Sequence, residues 1–252
     1  MKGTIIGDII GSRFEFNNVK TKNFQLFSKE CSFTDDTICT VAIMEALLSV
    51  DMDFKAHLLD WCRRYPHPMG SYGGSFAKWI WSQDPQPYNS YGNGAAMRVS
   101  PCAFFFKRNV DANRAAAYSA GVTHNHPEGI IGAMAVVQAI RLLRQKKDKF
   151  WARVVEGNFY DIHAKYIQGQ FDETCQGTVP VALRIIYESK SFEDAMRNAM
   201  LWGGDSDTLG AIVGGMAEAL WGVPEDLWEK AKTYLPQEMI DVVDTFYKEI
   251  KI

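Results

Sequence analysis

Apolar residues recur along this chain mostly at helical spacing. Between Glu128 and Lys147, the residues Ile130, Ile131, Met134, Val137, Ile140, Leu142 and Leu143 form a stripe that closes on Arg144, Lys146 and Lys147. An apolar face with a basic last turn predicts a helix, because cations complement the carbonyl end of the helix dipole. Ser191-Phe192-Glu193-Asp194 reads as a capping box opening a helix toward Trp202. Pro224-Glu225-Asp226 and Pro236-Gln237-Glu238 each place proline and acids in a first turn, starting the last two helices. Asp111 introduces the alanine-rich Ala112 to Ala120. Strict alternation, the mark of a half-buried strand, is nearly absent. The pattern predicts an all-α chain of about ten helices, with longer Gly/Pro/aromatic loops around residues 12–33 and 66–95. Loops of that length in a compact domain often carry function.

Composition narrows the picture. The chain has 252 residues, 47% hydrophobic, with no repeat or Pro/Ser-rich linker, so residues 1–252 are read as a single domain able to bury a substantial core. Thirty acidic against 27 basic side chains, a formal charge of -3, exclude the basic footprint of a dedicated duplex nucleic-acid binder. The longest apolar run, Gly129 to Ile140, is bounded by Glu128 and Arg141 and falls short of the ~18 residues a bilayer span requires. Asp8 interrupts the N-terminus too early for a signal-peptide core. The five cysteines (31, 39, 62, 102 and 175) are odd in number and never spaced CxxC, which fits reduced, buried thiols. A cytoplasmic globular protein with no membrane partner is expected; oligomeric state leaves no signal.

Two segments far apart in the chain resemble each other. Thr34-Asp35-Asp36-Thr37 runs into Ile38-Cys39-Thr40-Val41-Ala42-Ile43-Met44, and Asp205-Ser206-Asp207-Thr208 into Leu209-Gly210-Ala211-Ile212-Val213. Helix capping alone explains a threonine or aspartate at such a place. A cap needs one acceptor, however, and each segment offers four oxygen-bearing side chains in a row. The helices that follow are apolar or small on several faces, which sets the acids beside a core. Gly203, Gly204, Gly210, Gly214 and Gly215 around the second segment suggest close backbone approach. Four converging aspartates repel one another unless cations neutralise them, and two divalent ions balance their charge. An oxygen-only ligand set selects hard cations, Mg²⁺ or Mn²⁺ ahead of Ca²⁺ and Zn²⁺. Residues two apart on a helix point roughly 200° apart, so Asp205 and Asp207 share a site only if Asp205 precedes the helix proper.

In combination these features resemble the ADP-ribosylglycohydrolase family, the dinitrogenase-reductase-activating glycohydrolase group. The likeness runs from Gly7-Asp8-Ile9-Ile10-Gly11 and Phe14-Glu15-Phe16 through Thr34-Asp35-Asp36-Thr37 and Ser90 to Arg98. It continues with Thr123-His124-Asn125-His126-Pro127 and Gly203-Gly204-Asp205-Ser206-Asp207-Thr208. The resemblance implies a compact all-α fold with a binuclear metal site in a central cleft, and cleavage of the glycosidic bond joining ADP-ribose to a target.

Carried onto this chain, the resemblance implies two Mg²⁺, with Mn²⁺ as an alternative, held by Thr34, Asp35, Asp36, Asp205, Asp207 and Thr208 against the distal ribose. It makes Glu15 an acid/base or water-positioning residue and Asp36 its catalytic companion. Ser90, Tyr91, Gly92, Asn93 and His124 are implied to contact ADP-ribose. Read locally, Ser90 to Met97 fits either an anion site of exposed N–H groups or a plain glycine turn. Gly70 to Ser75 is a second glycine-rich turn, a candidate for cleft lining. His126 is read as a capping residue, and His57, His67 and His163 have no motif around them. The aromatic residues Phe76, Trp79, Trp81 and Tyr88 are read as core before they are read as a stacking surface. A catalytically silent ADP-ribose-binding or crystallin-like structural relative is the competing function. It should have lost some of the six ligand positions or the glutamate, and all seven are present.

Overall fold

Gly3, Gly7 and Gly11 recur every fourth residue at the start of the chain, as do Gly210 and Gly214 near its end. The structure, a computed structural model that describes residues 1–145 and 150–250, shows what this spacing does. Helix α1 (Lys2–Gly11) lies antiparallel against α12 (Ser206–Trp221), with Gly3 facing Gly214, Gly7 facing Gly210, and Gly11 facing Ser206 and Asp207. A Cβ on Gly11 would stand 2.6 Å from the Asp207 Cα, and one on Gly3 or Gly7 would collide with the facing backbone carbonyl. Absence of side chains along both stripes lets the two backbones touch. That contact carries the N-terminus of α12, with its aspartates, to the C-terminal end of α1.

Twelve more helices complete an all-α architecture among the described residues. They are α2 (Asp35–Leu48), α3 (Phe54–Arg64), α4 (Gly74–Ile80), α5 (Gly94–Met97), α6 (Ser100–Phe105) and α7 (Asn109–Gly121). The second half of the chain adds α8 (Pro127–Gln145), α9 (Phe150–Asn158), α10 (Cys175–Glu188), α11 (Phe192–Trp202), α13 (Glu225–Lys232) and α14 (Gln237–Ile250). Apart from α1, α12 packs on α8, α10 and α11, while α2 packs on α1, α3, α6 and α14. The buried apolar side chains form one continuous cluster, running from Met1 and Ile5 through Ile38, Trp61, Val137 and Leu183 to Phe246. No described helix is long and apolar enough to cross a membrane.

The helix count exceeds the ten or so expected, chiefly because α4, α5 and α6 are seven, four and six residues long. Segments that short give no periodic signal, so α4 and the start of α5 fall inside what reads as a loop over 66–95. The stretch 12–33 is a loop without helix. The α8 stripe behaves as expected as far as Gln145; Lys146 and Lys147 lie outside the described residues. Helix α7 starts at Asn109, two residues ahead of Asp111. At α11, Ser191 Oγ accepts from Asp194 N–H at 3.1 Å, while the return bond to Asp194 Oδ2 comes from Lys190 N–H instead of Ser191. The cap is therefore real and the reciprocal box is displaced by one residue.

Candidate active site

Thr34 caps α2, accepting from Asp36 N–H at 3.2 Å, and its hydroxyl donates to Asp8 Oδ1 at 2.8 Å. Asp8 lies at 0% exposure on α1 between Ile5, Ile6, Ile9 and Ile10. Its Oδ2 accepts from the Thr34 N–H at 3.0 Å, the Thr37 N–H at 3.1 Å and the Thr37 hydroxyl. A carboxylate from one helix thereby caps another, fixing the first turn of α2, which carries Asp35 and Asp36. Asp8 stands in the Gly7 to Gly11 motif but not among the site residues that the resemblance implies; a lone acid among four isoleucines is the signal it offers.

On the other side, Gly203 and Gly204 adopt positive φ of 74° and 79°, and Asp205 sits at the N-cap, before α12 begins. Asp205 and Asp207 thus escape the opposed directions that two positions within a helix would impose. Thr208 Oγ1 donates to Asp36 Oδ2 at 3.1 Å, joining the two segments directly. Oxygens of Asp8, Asp36 and Asp207 all lie within 4.8 Å of one another, and Glu15, Asp205 and Asp207 form a second such group. Asp207 belongs to both. Asp35 stands outside these groups and lines the adjoining cleft.

Burial at this density changes the acids. Desolvation, and then the charge of Asp207, pushes Asp8 up to about 7 and Glu15 up to about 8. Burial and neighbouring charge hold Asp35, Asp36 and Asp205 well above the ordinary carboxylate range, and burial raises Asp207. The ion pairs of the described residues involve none of these groups. Asp36 Oδ1, Asp207 Oδ1 and Glu15 Oε2 are buried and accept no hydrogen bond. Buried oxygens with free lone pairs, converging and lacking a basic partner, fit hard divalent cations.

Glu15 reaches the centre from the 12–33 loop. Gly70, at φ 78°, makes room for it: a Cβ there would stand 2.7 Å from Glu15 Oε2. Asn18 ties the same loop to the second acidic segment, accepting from Gly204 N–H at 2.8 Å and donating to Gly204 O at 3.0 Å.

A cleft of about 240 Å³ opens beside the carboxylates, lined by Glu15, Asp35, Gly73, Gly74, Phe76, Tyr88, Ser90, Gly92, Asn93, Arg98, His124 and Glu173, among others. It gathers most of the residues expected to bind substrate. Ser90 Oγ accepts from Gly92 N–H and folds the turn. Asn93 points inward, donating to Asp205 Oδ2 at 2.7 Å and Thr178 Oγ1 at 3.0 Å. Tyr91 is 47% exposed, its ring edge-on to His126 and away from the lining. His126 Nδ1 accepts from Glu128 N–H at the start of α8, the capping role expected of it. Glu173 had no local signal: it arrives through an antiparallel bridge, Asn93 N–H to Glu173 O at 2.7 Å and Cys175 N–H to Tyr91 O at 2.9 Å. A larger depression of about 630 Å³, lined by Phe104 to Lys107, Arg141 and Arg144, contains no comparable group of carboxylates.

A cluster of buried carboxylates on an all-α frame defines a class. The sequence profile of the family "ADP-ribosylglycohydrolase" matches residues 1–251. The chain is similar to ADP-ribosyl-[dinitrogen reductase] glycohydrolase of Rhodospirillum rubrum, at 24% identity over 88% of this chain and 84% of that one. It is also similar to ADP-ribosylarginine hydrolase Tri1 of Pseudomonas putida (strain GB-1), at 25% identity over 95% of this chain and 76% of the relative. A solved structure described as an ADP-ribosylglycohydrolase-related protein complex shares the fold, with a TM-score of 0.75, 22% identity and coverage of 98% and 95%. The chain belongs to the ADP-ribosylglycohydrolase family and is a glycosidic-bond hydrolase.

Proposed function

We propose that the protein is a Mg²⁺-dependent hydrolase that releases ADP-ribose from a modified protein side chain or other acceptor. The observation that carries this reading is the convergence of Asp36, Asp205, Asp207 and Glu15, with three buried oxygens left free of hydrogen bonds. Thr34, Asp35, Asp36, Asp205, Asp207 and Thr208 would hold two Mg²⁺, or Mn²⁺ in their place. Bound there, the cations would orient the distal ribose through its hydroxyls and acidify or position a water.

The remaining work falls to the chain. Glycosidic cleavage passes through an oxocarbenium-like state, and the clustered carboxylates stabilise positive charge developing beside them. Glu15 presents Oε2 without a protein donor, free to orient a water or carry its proton. Ser90, Gly92 and Asn93 in the cleft wall, with His124, face the rest of the ADP-ribose.

Two experiments test this. The protein with Mg²⁺ is incubated with ADP-ribosylated arginine, serine and nucleic-acid substrates, and released ADP-ribose is measured. Release from at least one is expected, lost on EDTA treatment and restored by Mg²⁺ or Mn²⁺; full rates after exhaustive chelation would refute metal dependence. In the second, Asp36→Ala and Asp207→Ala each lower turnover by about 10²–10³-fold, the typical cost of removing one electrostatic group at a reacting centre. Wild-type rates in both variants would dismiss the site.

A further inference from the structure

Among the residues lining the cleft stands one cation, Arg98, fully buried just after α5 and paired with no carboxylate among the described residues. Its Nη2 donates to Ser119 O and to Thr123 Oγ1, both at 2.8 Å, its guanidinium lies 5.9 Å from the Phe76 ring centroid, and its Nε and Nη1 make no hydrogen bond. Thr123 Oγ1 in turn lies 2.7 Å from His124 Nδ1. Arg98 closes the motif Ser90 to Arg98, and Thr123-His124 opens the motif Thr123 to Pro127, so these contacts join two segments that lie apart in the sequence.

The direction of the last bond follows from counting protons. A threonine hydroxyl has one proton to give and two lone pairs to fill. Arg98, which has no acceptor atom, must donate to it. If His124 Nδ1 also carried a proton, two donors would face the hydroxyl oxygen. The hydroxyl proton would then have no acceptor at a fully buried position. Thr123 therefore donates to a bare Nδ1, and the single proton of the neutral ring sits on Nε2. The ring is kept neutral by burial and by Arg98, which hold His124 well below its usual range. Tyr88, packed against the ring at 5.7 Å between centroids, adds no charge near neutrality.

Nε2 is the atom that meets the cleft. A Cβ at Gly92 would stand 3.3 Å from it and one at Gly94 3.2 Å, so the two glycines leave the approach to this nitrogen open. We propose that Arg98 and Thr123 are positioning residues that fix His124 as its Nε2–H tautomer. The cleft then presents a hydrogen-bond donor here, suited to a phosphoryl or hydroxyl oxygen of the ligand. The tautomer stands on side-chain geometry; that the oxygen belongs to ADP-ribose rests on the function proposed above. A consequence is that His124 does not act as a general base through Nε2.

The full chain labelled with ¹⁵N decides the first half by long-range ¹H–¹⁵N correlation at neutral pH, with the His124 signals assigned by their absence in His124→Gln. A bare Nδ1 and a protonated Nε2 are expected. A protonated Nδ1, in either the other tautomer or the imidazolium, overturns the proposal. The second half is read by calorimetry with ADP-ribose in Mg²⁺. Thr123→Val weakens binding about tenfold, the worth of one well-placed hydrogen bond, and gives the averaged ¹⁵N shifts of exchanging tautomers, while Thr123→Ser restores both. Unchanged affinity and shifts in Thr123→Val refute the positioning role. A wild-type protein that bound no ADP-ribose would instead reject the functional reading, with the tautomer still decided by the spectrum.

Discussion

Asn93 has both amide protons committed, one to Thr178 Oγ1 and one to Asp205 Oδ2. A residue expected from its motif to touch substrate is, by its bonds, a brace for a candidate metal ligand. The two roles separate in kinetics. Partners in the outer shell of a metal site typically cost 10–100-fold when removed. Asn93→Ala should raise the Mg²⁺ concentration giving half-maximal activity by about that factor, leaving KM nearly unchanged once metal is saturating. The opposite outcome, a raised KM with an unaltered metal requirement, would return Asn93 to substrate binding. Asp8 and Asn18 also brace the centre: one caps α2 and the other ties the Glu15 loop to Gly204, and neither is in the ligand set that the motifs name.

The site is assembled by the contact between α1 and α12, and that contact depends on hydrogen atoms where other residues have side chains. Gly7→Ala should show it. Alanine favours a helix over glycine by about 1 kcal/mol, yet here its Cβ would meet the Gly210 carbonyl, a backbone group that no rotamer change can move. Overpacking of this kind costs about 1–3 kcal/mol or more, so we expect net destabilisation in urea melts together with loss of activity as α12 is displaced. Gly157→Ala is the control, since nothing lies within 4 Å of an added Cβ there; it should be neutral or stabilising by up to about 1 kcal/mol. Equal effects at the two sites would mean that helix propensity, and not the close approach, governs both. The same comparison explains what could be read beforehand. Glycine density near Asp205 pointed to close packing, and the oxygen-rich helix starts pointed to convergence, because both are written within a few consecutive residues. The partner stripe on α1, the carboxylate of Asp8 and the arrival of Glu173 depend on pairings between distant segments, which no local pattern records. The short helices α4 to α6 escaped for a different reason, having too few turns for a period to emerge.

Folding this chain gathers Asp8, Glu15, Asp35, Asp36, Asp205 and Asp207 with no basic partner, and the cost of that gathering has a pH signature. Their pKa values are raised in the folded state, so the folded chain binds more protons than the unfolded one. In the absence of metal these groups contribute their full stability below about pH 4, and it is lost as the pH climbs through about 7 for Asp8 and about 8 for Glu15. His124 works in the other direction: its depressed pKa gives stability that is lost as the pH falls below about 6.5, one group against six. Divalent cations compete with protons for the same oxygens, and their benefit should therefore grow with pH. At a metal concentration about 100-fold above Kd, linkage supplies about 2.7 kcal/mol per site, or roughly 5–10 °C in Tm for a chain of this size. We expect Mg²⁺ to raise Tm by about that much near pH 8 and by little near pH 5, where the carboxylates hold protons of their own. In the Asp36→Ala, Asp207→Ala double variant both the metal response and the alkaline loss of stability should shrink together. A Tm gain from Mg²⁺ that is the same at both pH values, or that survives in the double variant, would place the bound cation somewhere other than this acidic centre.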